Sequence, residues 1–177
     1  MLDPTLLPIT DGVRSLRLLA EDDAERYIAG TKDPLVQQFG HLPEPEYSSQ
    51  DVRHLANTVA PSGIERGDLG LLSIIDESGI FLGSLVLFDC TSTSAEVGFW
   101  LHPDARGHGH AIGALELAAA FAKQSRLHEI TARTVAGNDS SIHVLERAGF
   151  EEISREVERT PAGEETPLIQ YRRDLIS

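Results

Sequence analysis

One segment constrains the possible folds of this chain more than any other: a glycine-containing turn that leads directly into a largely apolar helix. The turn is Arg106-Gly107-His108-Gly109-His110-Ala111, and the helix is predicted to run to about Gln124. Its apolar residues are spread around the helix and do not follow one stripe; they include Ile112, Leu115, Leu117 and the stretch 118–121. Such a helix has to be covered on most sides, so we expect it to be buried against a sheet.

Apolar segments elsewhere in the chain supply the strands of that sheet. They predict strands over residues 13–19, 69–75, 80–88, 95–101, 127–135, 150–158 and 168–175. Helices are predicted from the acidic turn 21–23 to about 29, over 34–38, over 49–59 and over 141–147, with loops at 40–47 and 161–167. This order of elements predicts an α+β protein with a mixed sheet and helices on its faces.

The helix over 49–59 has sequence signals at both ends. Ser48 and Asp51 have the spacing of a capping box, in which each side chain accepts a hydrogen bond from the other residue's backbone N–H. Pro61, Ser62 and Gly63 follow, and a proline interrupts the hydrogen bonding of a helix. We therefore expect this helix to end near Val59.

The length and charge of the chain limit its possible partners. Its 177 residues suggest one domain over residues 1–177. Lys and Arg total 15 against 28 Asp and Glu, which gives a formal net charge of −13. A field of that sign disfavours nucleic acid and anionic membranes and mildly favours a cationic partner. An anionic cofactor would therefore need a local device to hold it.

Two further features concern location. Cys90 is the only cysteine, so no internal disulfide can form, and a reducing cytoplasm is expected. This thiol follows an apolar segment and is expected to be buried and inert. No segment approaches the roughly 18 uncharged apolar residues of a membrane span, and the first residues lack the pattern of a signal peptide.

The glycine turn admits three ligand-binding interpretations. A dinucleotide fingerprint needs G-x-G-x-x-G, whereas Gly107, Gly109 and Gly113 are spaced one residue too widely. A Walker loop needs Gly-Lys-Ser/Thr, which the chain lacks. The third pattern is R-x-x-G-x-A, formed by Arg106, Gly109 and Ala111. Its backbone N–H groups and the helix N-terminus would hold a diphosphate, and Arg106 would add a charge-assisted contact. A plain turn without a ligand is the alternative that the loop alone leaves open.

Two longer segments resemble a known family. They are Glu96-Val97-Gly98-Phe99-Trp100-Leu101-His102-Pro103-Asp104-Ala105-Arg106-Gly107-His108-Gly109 and Asn138-Asp139-Ser140-Ser141-Ile142-His143-Val144-Leu145-Glu146-Arg147-Ala148-Gly149-Phe150. The first resembles the central strand and pyrophosphate loop of the GNAT superfamily of N-acetyltransferases, and the second its N-x-x-S, Leu-Glu and Gly-Phe signature. Together they resemble the branch that includes ribosomal-protein and peptide N-terminal acetyltransferases of the RimJ/RimL type. The resemblance runs from about Val13 to Leu175. It implies a twisted, mostly antiparallel sheet of about seven strands, with the fourth and fifth strands splayed to hold acetyl-CoA.

The resemblance implies acetyl-CoA-dependent transfer of an acetyl group to a primary amine, either a protein or peptide N-terminus or a small molecule. Transfer of another acyl group such as succinyl, and a non-catalytic acyl-CoA sensor, are alternatives. The loop 40–47 and the early helices would form the acceptor wall, and homodimers are common among such enzymes. The residues expected to bind the coenzyme are Phe99, Trp100, Leu101, Arg106, Gly107, His108, Gly109, His110, Ala111, Asn138 and Ser141.

The chemistry that the resemblance implies is direct attack of the amine on the thioester. Amines are mostly protonated at neutral pH, so a base is useful, and Glu96 is the candidate because it begins the central strand. Ser141 is the candidate proton donor to the departing thiolate, by its place in the second signature. The alternatives are a solvated carboxylate and a serine that caps a helix. Backbone N–H groups near Phe99 and Trp100 are expected to stabilise the oxyanion.

Two positions depart from the family pattern. Gly113 stands in Ile112-Gly113-Ala114, where the branch often has Thr-Glu-Ala. A glycine inside a helix costs about 1 kcal/mol relative to alanine, which suggests that Gly113 makes room for a neighbour. Leu145 stands where many relatives carry a general-acid tyrosine, so the tyrosine mechanism does not carry over.

Three histidines near the loop could suggest a metal site. Three imidazoles can hold zinc, but His102, His108 and His110 lie in or beside the proposed phosphate loop. We therefore expect His108 and His110 to point outward and no metal to be bound.

Overall fold

The computed structural model describes residues 1–159 and 165–176, so most of the predicted loop 161–167 lies outside the described residues. The strands are β1 (Ile9–Thr10), β2 (Arg14–Leu18), β3 (Gly70–Asp76), β4 (Phe81–Phe88), β5 (Ser94–Leu101), β6 (Glu129–Val135), β7 (Glu151–Arg159) and β8 (Glu165–Asp174). The helices are α1 (Ala24–Thr31), α2 (Pro34–Phe39), α3 (Ser49–His54), α4 (Ala60–Arg66), α5 (His110–Gln124) and α6 (Asp139–Arg147). A π-helical turn at Leu55–Val59 joins α3 to α4, and 3-10 turns lie at Pro4–Leu6, Glu21–Asp23 and Pro103–Ala105.

The strands form one sheet in the order β1-β2-β3-β4-β5-β6-β8-β7. Neighbouring strands are antiparallel except β5 and β6, which are parallel. The predicted α+β class and mixed, mostly antiparallel sheet are therefore confirmed. The sheet has eight strands because β1 pairs with β2 at the edge, and two residues are too few for an apolar pattern to reveal.

The parallel strands β5 and β6 separate partway along their length. They pair only through Ser94 with Glu129, Ala95 with Ile130 and Glu96 with Thr131. Beyond that point β5 stays paired with β4 as far as Leu101, and β6 stays paired with β8 as far as Val135. The two strands therefore diverge after Glu96, as expected for the fourth and fifth predicted strands.

The two faces of the sheet carry different helices. Helix α5 is buried as predicted: eight of its 15 residues are buried, and seven of these pack in one core with Leu72, Leu85 and Ile130 of the strands. A second core contains Tyr27, Val52 and Trp100, among others, and joins the helices α1–α4 to the sheet. The diverging strands thus lie between two sets of packed helices, and Ile64 of α4 also contributes to the first core.

The predicted end of the helix near Val59 is wrong. The helix continues through Pro61 to Arg66, and Gly67 then ends it in the left-handed conformation at φ 74°. The π-helical turn explains how: Ala60 donates to the carbonyl of Leu55, five residues back, which widens the helix before the proline. This widening relieves the clash that a proline ring makes in a regular helix. The predicted capping box of Ser48 and Asp51 is confirmed.

The structure also shows whether any helix could span a membrane, and it describes the environment of Cys90. Within the described residues, no helix combines the length and apolarity needed to cross a bilayer. Cys90 is half-buried, and burial raises the pKa of its thiol, which lowers its reactivity at neutral pH.

Candidate functional site

A cavity of about 630 Å³ opens where β5 and β6 diverge. Its wall combines β5, the end of β6, the start of α6, helix α1 and the loop after α2. The predicted site residues that line it are Glu96, Phe99, Trp100, Asn138 and Ser141. The predicted loop residues 106–111 and Leu101 are not part of its wall. The structure therefore brings the two proposed catalytic residues together and places the glycine loop outside this cavity.

The glycine loop has the backbone geometry of an anion site. Gly107 and Gly109 adopt left-handed conformations, with φ of 77° and 74°. Residues other than glycine rarely adopt such conformations. The first helical hydrogen bond runs from Gly113 N–H to Gly109 O, at 3.1 Å. Within the described part of the chain, the N–H groups of residues 107–112 have no acceptor. A run of unused N–H groups at the start of a 15-residue helix suits a bound phosphate.

The Arg106 side chain is committed to protein partners in this structure. Its Nη2 donates to Asp33 Oδ1 at 2.6 Å and to the Leu101 carbonyl at 3.2 Å. The hydrogen bond from Arg106 lowers the pKa of Asp33, which also caps α2. Arg106 therefore links the loop to the start of α2. Its contact with a phosphate remains a prediction.

The histidines of the loop differ from one another. His108 is exposed, as expected, whereas His110 points outward only in part: it is half-buried, and its Nδ1 is buried without a hydrogen-bond partner among the described residues. Burial lowers the pKa of His110, and the positive charge of Arg14 lowers it further. His102 Nδ1 lies 2.7 Å from Asp104 Oδ1. No cluster of three or more His, Cys, Asp or Glu side chains suited to a metal ion occurs in the described ranges.

The backbone of β5 presents alternate residues to the two sides. His102 N–H donates to Leu82 O of β4 at 2.8 Å, and antiparallel pairing alternates every second residue. The N–H of Trp100 therefore bonds β4, whereas the N–H of Phe99 faces the gap left by β6. Of the two predicted oxyanion donors, only Phe99 is thus oriented for the role. The Trp100 side chain packs in the core, 5.2 Å from the Tyr27 ring centroid.

Glu96 lies at the vertex where the two strands separate, opposite Thr131. Its Oε1 accepts a hydrogen bond from Arg133 Nε at 2.8 Å, and its side chain is 15% exposed. The carboxylate is therefore largely enclosed and ion-paired, which does not match the solvated carboxylate of the alternative interpretation. Arg133 was not singled out in the sequence, because a charge inside a strand carries no pattern of its own.

Ser141 and Asn138 form a connected pair at the start of α6. Asn138 Oδ1 accepts from Ser141 N–H at 3.2 Å, and Asn138 Nδ2 donates to Ser141 Oγ at 2.9 Å. Asn138 is therefore the helix cap, and the alternative of a capping Ser141 is wrong. Because Oγ accepts from Asn138, the hydroxyl hydrogen of Ser141 remains available to donate. Leu145, which is 1% exposed, occupies the cavity wall one helical turn further on.

The loop 40–47, expected on the acceptor side, contributes residues 40–43 and Tyr47 to the cavity wall. Tyr27 lies there too, although no sequence pattern marked it, and its ring is edge-on to that of Tyr47 at 5.4 Å between centroids. Burial and the hydrogen bond to Tyr47 raise the pKa of Tyr27, so its hydroxyl stays neutral. Isolated tyrosines carry no motif, and only the fold brings these two together.

Comparison with solved structures finds many of the same fold. A GNAT-family acetyltransferase from Bacillus anthracis has a TM-score of 0.79 at 20% identity, covering 96% of this chain and 99% of that one. RimL, a ribosomal alpha-N-protein acetyltransferase in complex with coenzyme A, has a TM-score of 0.81 at 19% identity, covering 95% and 97%. Spermidine N-acetyltransferase from Vibrio cholerae, in complex with CoA and spermine, has a TM-score of 0.77 at 18% identity, covering 93% and 97%. At such identities the likeness shows the fold.

Family assignment comes from the sequence comparison. No curated protein matches the chain. The acetyltransferase (GNAT) domain family matches residues 15–151, which is most of the chain and includes the glycine loop and α6. The chain therefore belongs to the GNAT acetyltransferase family and is an acyltransferase.

Proposed function

We propose that the protein transfers an acetyl group from acetyl-CoA to a primary amine by direct attack on the thioester. The observation that carries this proposal is the divergence of β5 and β6, which leaves Phe99 N–H, Glu96 and Ser141 around one cavity. The glycine loop at the start of α5 supplies unused N–H groups for the coenzyme's diphosphate. In the proposal, residues 1–177 form one cytoplasmic domain, and dimer formation stays a prediction.

The residues around the cavity suit the steps of such a transfer. The amine has to lose a proton, and Glu96 is the proposed acceptor, directly or through a water molecule. As the amine nitrogen bonds the acyl carbon, negative charge develops on the acyl oxygen, and Phe99 N–H is the proposed donor to it. The carbon–sulfur bond then breaks, and Ser141 Oγ–H is the proposed donor to the leaving thiolate. Ser141 regains a proton from solvent, and Glu96 releases to solvent the proton that it took from the amine.

The cavity wall suggests what kind of amine is accepted. Among the described residues, the wall is mostly apolar and aromatic, and its charged side chains are Glu96 and Arg133, which pair with each other; His41 adds one imidazole. An acceptor with several positive charges would lose hydration without finding carboxylates to replace it. The proposed acceptor therefore carries one ammonium group next to an apolar body, as a peptide N-terminus does.

A panel of amines with acetyl-CoA tests the function and the acceptor class together. The panel contains short peptides with apolar or small first residues, an aromatic monoamine, spermidine and an aminoglycoside, and release of the CoA thiol is measured. We expect kcat/KM for the best monoamine to exceed that for spermidine by about tenfold or more, since each uncompensated charge costs more than 1.4 kcal/mol. Preference for spermidine would contradict the acceptor class. The panel is repeated with succinyl-CoA in place of acetyl-CoA, and turnover with succinyl-CoA but not acetyl-CoA would identify another acyl group. Binding of acetyl-CoA without turnover of any amine would identify a sensor.

Replacing Glu96 tests the proposed base. We expect Glu96→Gln to lower kcat/KM at pH 7 by about 100-fold, the lower end of the range for general base catalysis. An α-amino group has a pKa near 8, so at pH 9 most of the amine is already deprotonated and the loss should shrink. The measurement is a pH profile of both proteins with a peptide acceptor. An equal loss at both pH values would indicate that Glu96 only holds Arg133 in place.

A further inference from the structure

Arg14 reaches from β2 to the first turn of α5. Its Nη1 donates to the carbonyl of Gly109 at 2.9 Å, and this carbonyl also accepts the first helical hydrogen bond from Gly113. The Arg14 side chain is only 12% exposed, and its buried Nε has no hydrogen-bond partner among the described residues. A side chain far away in the sequence is therefore anchored on Gly109, the loop residue that directly precedes α5.

Gly113 is the residue that makes this contact possible. A Cβ atom at position 113 would lie 1.5 Å from Arg14 Nη1 and 2.4 Å from Cζ. No side chain can therefore stand at position 113 while Arg14 keeps its place. This accounts for a glycine inside a buried helix, where alanine would be more favourable by about 1 kcal/mol.

Anchoring the Gly109 carbonyl also orients the loop. The carbonyl of Gly109 and the N–H of His110 belong to one planar peptide group and point in opposite directions. Arg14 and the helical bond from Gly113 together hold the carbonyl, so the His110 N–H points away from both donors. The Arg14 hydrogen bond thus helps to fix the direction of an N–H group in the proposed diphosphate site.

The charge of Arg14 stands at an unfavourable end of the helix. The N-terminus of a helix carries a partial positive charge, and a cation beside it is destabilising. Asp11 Oδ2 lies 3.5 Å from Arg14 Nε and offsets part of this charge. In a chain of net charge −13, the Arg14 guanidinium and the positive end of α5 are stabilised when an anion lies in the loop.

We infer that Arg14 is a positioning residue for the donor: it fixes the glycine loop and adds positive charge behind the coenzyme's diphosphate. Gly113 is its structural counterpart. This inference rests on the proposed function, since it concerns the same loop. Arg14 lies outside the two family signatures, so the inference adds one residue to those proposed to hold the coenzyme.

Four variants test this inference: Arg14→Ala, Gly113→Ala, the double variant, and Arg155→Ala as control. Arg155 is an exposed residue of β7 paired with Glu152, so its loss changes the net charge equally. We expect Arg14→Ala and Gly113→Ala to weaken CoA binding by about tenfold, the effect of one charge-assisted hydrogen bond, with a smaller dependence on salt. The KM for acetyl-CoA should rise, whereas kcat at saturating acetyl-CoA and the Kd of the control should stay near wild-type values.

Thermal unfolding tests the steric coupling independently of any ligand. Gly113→Ala should lower Tm when Arg14 is present, because the guanidinium is displaced. In the Arg14→Ala background the same change should raise Tm by about 2–4 °C, because alanine favours the helix. The same sign in both backgrounds would overturn the coupling. If the single variant Gly113→Ala does not fold, the Tm of Arg14→Ala can still be compared with that of the double variant. A lower Tm for the double variant would overturn the coupling.

The two proposals can fail separately. If wild-type protein does not bind CoA, the proposed function fails and this inference fails with it. If wild-type protein binds CoA and Arg14→Ala binds it equally well with the same salt dependence, only the role of Arg14 is overturned.

Discussion

Gly109→Val is expected to weaken CoA binding by about 100-fold or more. Gly109 has φ 74°, a conformation that a β-branched residue strongly disfavours, so valine has to rotate the peptide groups of the loop. Losing two charge-assisted hydrogen bonds costs about 3 kcal/mol or more, which corresponds to this factor. The measurement is calorimetric titration of CoA into each protein.

The matched control for this substitution is Gly149→Val. Gly149 has almost the same conformation, φ 75°, and follows α6, where its nearest atoms belong to Arg173 at 3.7 Å or more. Both substitutions should lower Tm by similar amounts, but only the one in the loop should affect CoA. Equal affinity of Gly109→Val and wild type would show that the loop does not hold the donor.

Ser141→Ala is expected to lower kcat by about 100-fold or more, the usual range for a positioned proton donor. Its hydroxyl accepts from Asn138 and is thereby oriented to donate into the cavity. Since the thiolate forms only as the carbon–sulfur bond breaks, the KM values for both substrates should change little. Thiol release at saturating acetyl-CoA and amine measures the effect.

Ser140→Ala is the corresponding control. It removes the same hydroxyl from the neighbouring exposed residue of α6 and should leave kcat near the wild-type value. A kcat for Ser141→Ala equal to that of this control would show that the thiolate takes its proton from water. A large rise in KM with unchanged kcat would instead assign Ser141 to coenzyme binding.

The helix and strands around the glycine loop could be predicted, because residues close together in the sequence determine them. Glycines at positions 107 and 109 precede a helix that is apolar on most sides, and only burial against a sheet accommodates such a helix. The alternating and apolar segments then fix seven of the eight strands. The predicted helix end at Pro61 failed because the π-helical turn before it is a property of packing and leaves no mark in the sequence.

The contacts that complete the site could not be predicted, because each joins residues far apart in the chain. Arg14 lies 95 residues before Gly109, and Glu96 lies 37 residues before Arg133. The glycine at position 113 did signal that something needed space, and the fold identifies that neighbour as Arg14. Sequence patterns thus located the backbone of the site, and the fold supplied the side chains that orient it.

Titration of the wild-type protein with CoA and with pantetheine, which lacks the diphosphate, is the most direct test of how the donor is held. We expect CoA to bind with measurable heat at micromolar to sub-millimolar concentrations and pantetheine to give none at millimolar concentration, because only CoA reaches the N–H groups of residues 107–112. Equal binding of the two compounds, or no binding of CoA at millimolar concentration, would contradict the proposal.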